Sequence, residues 1–191
     1  MTGLYDPDQE KSSCGVGLLT RKDGRQTHEV IRKLHEALCA VPHRGGMSSE
    51  GVGDGAGVNL DLSLRFFRRV TGRPDLDLGS FGVGNFFLPT DPTFHAEAER
   101  VIRQALADRG FDILVERVVP VDDTAIRPAA VKYQLPVRQW VFATSNGGPL
   151  SDRSIHDALM AIEEVAYTKP ELSGMYPLSL SARTQVLKGR L

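Results

Sequence analysis

The chain contains 191 residues, of which 41% are hydrophobic and 25% are charged, as is ordinary for a globular protein with one sizeable core. Its 23 basic and 24 acidic residues nearly balance, so its charge predicts neither a nucleic-acid partner nor binding to an anionic membrane. No apolar run approaches the ~20 residues of a membrane helix and no secretory signal is present, so with two cysteines the protein is expected to be reduced and cytoplasmic.

The N-terminal segment combines a polar stretch with a candidate nucleophile. Residues 1–13 contain turn formers and no apolar run, which favours a removable leader. Cys14 follows, at the head of an apolar segment that predicts a strand to about Thr20. Gly15 has no Cβ, so a substrate could approach the sulfur, and removal of the leader would give Cys14 an α-amine that can act as its own base. The alternative is an unreactive cysteine packed within a strand.

A helix is predicted next, because apolar residues recur at helical spacing between Thr27 and Val41. Thr27 is the expected N-cap, and Pro42 ends the helix just before His43 and Arg44. Cys39 lies on the apolar face, where burial would raise its pKa and block access to the thiol. The spacing of the cysteines and histidines fits no zinc motif, so no metal is expected, although a metal or redox module remains an alternative.

The glycine run at 51–57 does not fit a dinucleotide-binding loop, because it leads into a strand-like segment at 58–62 rather than into a helix. Within it, Gly53, Asp54 and Gly55 are expected to form a structural loop that lets the backbone approach the region of Cys14. Beyond it, Phe66 and Phe67 predict a small apolar anchor. The arginines around them are interpreted as a solvated face: Arg65, Arg68 and Arg69.

The rest of the chain alternates between strand and helix patterns. Asp91 and Ser151 are expected N-caps, and Asn146-Gly147 is interpreted as a turn. The predicted strands are 81–88, 111–119, 139–144, 176–180 and 185–187, and the predicted helices follow the two N-caps. This alternation, with mixed turn types, predicts an α+β fold.

Several of these motifs, in this order, resemble a known family. They are Cys14-Gly-Val-Gly, His43-Arg-Gly, Gly53-Asp-Gly-Ala-Gly and the C-terminal Ser181-Ala-Arg-Thr with Lys188-Gly189. Together they resemble the N-terminal glutamine amidotransferase domain of the glutamate synthase large subunit, which is of the class II, N-terminal-nucleophile type. The resemblance covers nearly the whole chain from Cys14 and implies a four-layer αββα sandwich.

The resemblance also implies a reaction. Cys14 would be the nucleophile for hydrolysis of L-glutamine to glutamate and ammonia, with its α-amine as base and Gly15 beside it. Arg44 matches an arginine near the bound glutamine, although it could instead be a cation that stabilises a helix C-terminus. Asp54 would orient the glycine loop. The ammonia would then pass to a synthase domain that aminates 2-oxoglutarate.

The family pattern places further site groups beyond Lys188-Gly189, including an Asn-Gly pair that forms the oxyanion hole. We therefore expect residues 14–191 to be the N-terminal part of the domain, incomplete at its C-terminal end, and the chain alone to be a poor enzyme or none. FMN and an iron–sulfur cluster are implied for the rest of a full glutamate synthase, and no cofactor for this segment. The alternative is a non-catalytic or partner-dependent domain derived from the same family.

Overall fold

The computed structural model describes residues 15–40, 52, 53 and 55–189. Its helices in these ranges are α1 (His28–Ala40), α2 (Leu64–Thr71), α3 (Pro92–Ala107), α4 (Pro128–Val131) and α5 (Asp152–Thr168). Its strands are β1 (Ala56–Asp61), β2 (Phe81–Phe87), β3 (Phe111–Val118), β4 (Val137–Thr144), β5 (Tyr176–Ser181) and β6 (Thr184–Gly189). The predicted α+β class is confirmed. None of the described helices is both long and apolar enough to cross a membrane.

Four strands form an antiparallel sheet with the order β3-β4-β2-β5. Glycine normally weakens a strand, yet β2 contains two. A Cβ at Gly84 would lie 2.7 Å from Cδ1 of Leu180, and a Cβ at Gly82 would clash with the ring of Phe142. The two glycines therefore leave room for large side chains of the neighbouring strands to pack over β2.

Helices α3 and α5 cover one face of this sheet. Both begin at the predicted caps: the Asp91 carboxylate accepts hydrogen bonds from two N–H groups in the first turn of α3, and the Ser151 hydroxyl accepts one in α5. Between the helices and the sheet lies Trp140, which is 0% exposed and meets the ring of Phe86 edge-on at 5.5 Å. This face holds the larger hydrophobic core.

The opposite face of the sheet packs against α2 and against a second antiparallel sheet, formed by β1 and β6. Phe67 of α2 is fully buried beside Phe81 of β2, which confirms the predicted apolar anchor. Strands β5 and β6 are adjacent in sequence but pair in different sheets, since the chain turns at Ala182 and Arg183. The described part of the chain therefore contains the two facing sheets expected of this fold.

A buried polar network joins the two sheets. Asn85, Gln139 and Gln185 are 0%, 2% and 9% exposed. The amide nitrogen of Gln139 donates to Oδ1 of Asn85 at 2.8 Å and to Oε1 of Gln185 at 3.1 Å. Asn85 in turn donates to the carbonyl of Val186 at 3.0 Å. Because buried amides need partners, this network favours one position of β6 relative to β2 and β4.

On the helical side of the sheet, an ion-pair network links α3 to β3 and β4. Arg103 donates to both carboxylate oxygens of Glu116 at 2.6 Å, and Arg138 lies 2.8 Å from Glu99. The hydrogen bonds from Arg103 hold the pKa of Glu116 below its usual value. The carboxylate of Glu116 therefore favours the folded state most strongly when it is ionised.

Glu116→Gln is expected to lower the free energy of unfolding by about 1–2 kcal/mol at pH 7, because a bidentate ion pair loses one charge. Since the pKa of Glu116 is lower in the folded than in the unfolded state, its contribution is present above the unfolded-state pKa and is lost as the pH falls through the folded-state pKa. The stability difference measured by urea unfolding should therefore shrink below about pH 4. The control is Glu164→Gln, which changes an exposed acid that has no ion pair in the described residues. If Glu116→Gln destabilised the protein equally at every pH, this assignment would be contradicted.

Candidate active site

The structure describes three of the six predicted site residues, all of them glycines. Cys14, Arg44 and Asp54 lie outside the described residues, as does the predicted leader at 1–13. Gly15, Gly53 and Gly55 are described, and they flank Cys14 and Asp54 in the sequence. The structure thus shows the backbone just after Cys14 and on both sides of Asp54. The roles of all six residues remain predictions.

The segment that follows Cys14 is irregular and exposed. The predicted strand is wrong for residues 15–20, which have no regular secondary structure. Val16 is 100% exposed and Leu18 is 91% exposed. A strand requires a neighbour for its N–H and C=O groups, and none lies alongside this segment in the described part of the chain.

Helix α1 is confirmed, but its N-terminus differs from the prediction. Thr27 does not cap the helix through its side chain, because its buried hydroxyl has no hydrogen-bond partner among the described residues. Gln26 instead anchors this end, since its amide nitrogen donates to the carbonyl of Leu62 at 3.1 Å. The contact ties the start of α1 to the connection between β1 and α2.

Cys39 is exposed, which contradicts the prediction that it is buried on the apolar face of α1. The reason is that no residue of α1 is buried, so its apolar face is not covered by the described part of the chain. The sulfur lies 3.9 Å from Nε2 of His35, one turn earlier in the helix. Burial therefore gives no reason to dismiss Cys39 as unreactive, and the assignment of Cys14 depends on its neighbouring glycines and on the motifs that follow it.

The metal alternative requires at least three suitable side chains close together. Across the described ranges, no group of three or more His, Cys, Asp or Glu side chains is arranged to hold a metal ion. His35 and Cys39 form a pair only.

The glycine loop lies at the entrance to β1. Gly53 is buried, and Gly55 has φ of +97°, in the left-handed region that favours glycine. The loop then continues into β1, as predicted, and not into a helix. The geometry expected of a dinucleotide-binding loop is therefore absent from the described residues that follow it.

Two motifs that are far apart in the sequence are neighbours in the structure. Strands β1 and β6 pair so that Ala56 lies opposite Gly189 and Gly57 lies opposite Lys188. A Cβ at Gly57 would lie 3.1 Å from the carbonyl oxygen of Leu187, so the close approach favours glycine. The Gly-Asp-Gly-Ala-Gly and Lys-Gly motifs therefore meet in one pair of strands.

Asparagine and glutamine side chains have structural roles at two places, a turn and the space between the sheets. Asn146-Gly147 is a turn, as predicted: Gly147 has φ of +70°, and Asn146 accepts a hydrogen bond from the N–H of Gly148 at 3.0 Å. The inter-sheet amides were not predicted. Their signal is the strand period of two, which places Asn85 on the same face as Val83, and Gln139 on the same face as Val141.

The fold, with two facing antiparallel sheets and helices α3 and α5 on the outer face of the larger one, is the α+β type of the N-terminal-nucleophile amidotransferases. Residues 14–191 match the model of the class II glutamine amidotransferases, and the chain belongs to that family.

The relatives of the chain include several glutamate synthases. The Bacillus subtilis glutamate synthase (NADPH) large chain is 33% identical over 193 residues, which cover 99% of this chain and 13% of that protein. The Azospirillum brasilense glutamate synthase (NADPH) large chain is 32% identical, with 97% and 12% covered. The Saccharomyces cerevisiae glutamate synthase (NADH) is 34% identical over 146 residues, with 72% and 7% covered. The chain thus spans a small fraction of each relative.

Proposed function

We propose that this chain supplies the glutaminase part of a glutamate synthase. L-Glutamine is hydrolysed to glutamate and ammonia, and the ammonia passes to a synthase domain for amination of 2-oxoglutarate. The observation that carries the proposal is the family match, which begins at Cys14 and extends over the paired glycine and Lys-Gly motifs. The names of the relatives favour glutamate synthase among the amidotransferases.

In the proposed mechanism, residues 1–13 are removed and Cys14 becomes the N-terminal residue. Its α-amine takes the thiol proton, and the thiolate attacks the side-chain amide carbon of glutamine. The C–N bond breaks, ammonia leaves with a proton from the α-ammonium group, and a thioester to Cys14 remains. The same amine then takes a proton from water, whose oxygen attacks the thioester, and glutamate and the thiol are released.

The other site residues are proposed to bind and position. Arg44 binds the glutamine near the nucleophile, since a planar guanidinium suits a carboxylate. Gly15 leaves space for the substrate beside the sulfur. Asp54 orients the loop between Gly53 and Gly55, whose exit is fixed by the pairing of β1 with β6.

The remaining groups are proposed to come from other parts of a cytoplasmic enzyme. Residues 14–191 are proposed to be the N-terminal part of the amidotransferase domain, and a further segment supplies the oxyanion donors. An iron–sulfur cluster is held by several cysteine thiolates, and this chain has two cysteines, so it does not fit a cluster site. We assign FMN and the cluster to the synthase domain.

The nucleophile can be identified by labelling the processed protein with a glutamine analogue that carries an electrophilic diazoketone. We expect covalent modification at Cys14, protection by glutamine, and no modification at Cys39, as determined by peptide mapping. Cys39→Ala is the matched control and should label normally. Modification at Cys39 alone would overturn the assignment. Labelling that glutamine does not suppress would favour a non-catalytic domain of the same family.

A further inference from the structure

Two arginines lie against one aromatic ring on the side of the molecule formed by α2 and β3, and a third arginine lies near them on α2. The guanidinium carbons of Arg69 and Arg117 lie 5.9 Å and 5.5 Å from the ring centroid of Phe66. Arg65 lies four residues before Arg69 and therefore on the same side of α2. We call these four residues the Phe66 surface.

These arginines are not neutralised within the described part of the chain, where none of the three has a carboxylate within 4 Å. Two neighbouring arginines have carboxylate partners: Arg68 lies 3.0 Å from Asp77, and Arg73 lies 2.8 Å from Asp75. Two like charges at positions i and i+4 destabilise a helix. The positive charge of the Phe66 surface is therefore available for an external anion that would relieve this repulsion.

Arg117 is held in place for such a role. One of its N–H groups donates to Oε1 of Gln139 at 2.7 Å, and Gln139 is itself fixed in the buried network between the sheets. The ring of Phe66 also contacts the guanidinium, which has five N–H donors in all. A guanidinium that is already oriented loses less conformational entropy when it binds a carboxylate.

We propose that the Phe66 surface is a docking site for an acidic segment of a partner protein, whose carboxylates pair with Arg65, Arg69 and Arg117. The arrangement of arginines around an aromatic residue is typical of the centre of a protein interface. A nucleic-acid site is disfavoured because it needs an extended basic surface, and the chain has a formal net charge of −1.

The proposal can be tested with a short fluorescein-labelled peptide in which glutamate alternates with valine, titrated with the full chain and followed by fluorescence anisotropy. We expect Arg69→Gln and Arg117→Gln each to weaken binding by about fivefold, and added salt to weaken it further. Phe66→Leu keeps the net charge but removes the ring that holds both guanidiniums, so it should also weaken binding. Thermal unfolding of each variant checks that it is folded.

Arg153→Gln is the matched control, because Arg153 is an arginine of α5 with a 90% exposed side chain. It should bind the peptide as the unmodified chain does. Absence of peptide binding would overturn the proposal, as would an equal loss in Arg153→Gln, which would indicate non-specific attraction. Tighter binding of a single-stranded oligonucleotide than of the peptide would also overturn it. None of these outcomes depends on glutamine hydrolysis, so the test is independent of the proposed function.

Discussion

Replacing Cys14 with serine is expected to reduce glutamine hydrolysis by at least about a thousandfold without unfolding the protein. A serine hydroxyl is far less acidic than a thiol, so the same α-amine would generate a much weaker nucleophile in a site that positions the sulfur of cysteine. The loss should appear in kcat, because the sulfur forms its bond after glutamine has bound. Glutamate release can be measured with processed chain co-expressed with the segment that follows the matched region in the Bacillus subtilis relative.

Two comparisons make this result specific. Cys39→Ser changes the other cysteine, which is exposed on α1, and should retain activity. A protein that keeps residues 1–13 should be as inactive as Cys14→Ser, because the nitrogen of Cys14 is then an amide and cannot accept the thiol proton. Full activity with the leader attached would refute the α-amine as base, and activity in Cys14→Ser would refute the nucleophile itself.

The sequence predicts elements best where their ends are determined locally. Helix α3 is bounded by the cap at Asp91 and by Gly110, which has φ of +73°, so the signals for both ends lie within the segment itself. Strand formation depends on a neighbour as well as on composition. The apolar residues 15–20 therefore suggested a strand that the structure does not contain. Likewise, the periodicity of α1 indicates an apolar face but not what covers it, and for this reason the burial of Cys39 was predicted incorrectly.

Parts of the site depend on contacts between distant residues, and these were less accessible to prediction. The order of the glycine motifs identified the family, but it did not reveal that Gly57 lies opposite Lys188. Arg65 and Arg69 are exposed, as expected of a solvated face. The sequence could not show that Arg117 of β3, some fifty positions along the chain, reaches the ring of Phe66. Buried amides such as Gln139 escape a pattern based on hydrophobicity, since their hydrogen bonds compensate for the burial of polar groups.

Trp140→Ala is expected to destabilise the protein by about 3–5 kcal/mol, the largest effect on stability that we expect from a single core substitution. Trp140 is the largest of the fully buried side chains in the described part of the chain, and it lies between the four-stranded sheet and helices α3 and α5. Its removal loses the edge-on contact with Phe86 and leaves a cavity that strands paired on both sides of β4 cannot readily close. A domain of this size has a total stability of roughly 5–15 kcal/mol, so the variant should unfold at a much lower urea concentration.

Urea unfolding followed by circular dichroism is the appropriate measurement, because Trp140 is the single tryptophan and its fluorescence disappears with the substitution. Trp140→Phe retains an aromatic ring and should lose less stability than Trp140→Ala. Tyr167→Ala removes an aromatic side chain that is 83% exposed on α5, so its effect should stay within about 0.5 kcal/mol. If Trp140→Ala and Tyr167→Ala were equally stable, the cluster around Trp140 could not be the main core.

Trp140 and Gln139 are adjacent in β4 and face opposite sides of the sheet. Loss of the core around Trp140 should therefore also loosen the amide network that joins the two sheets.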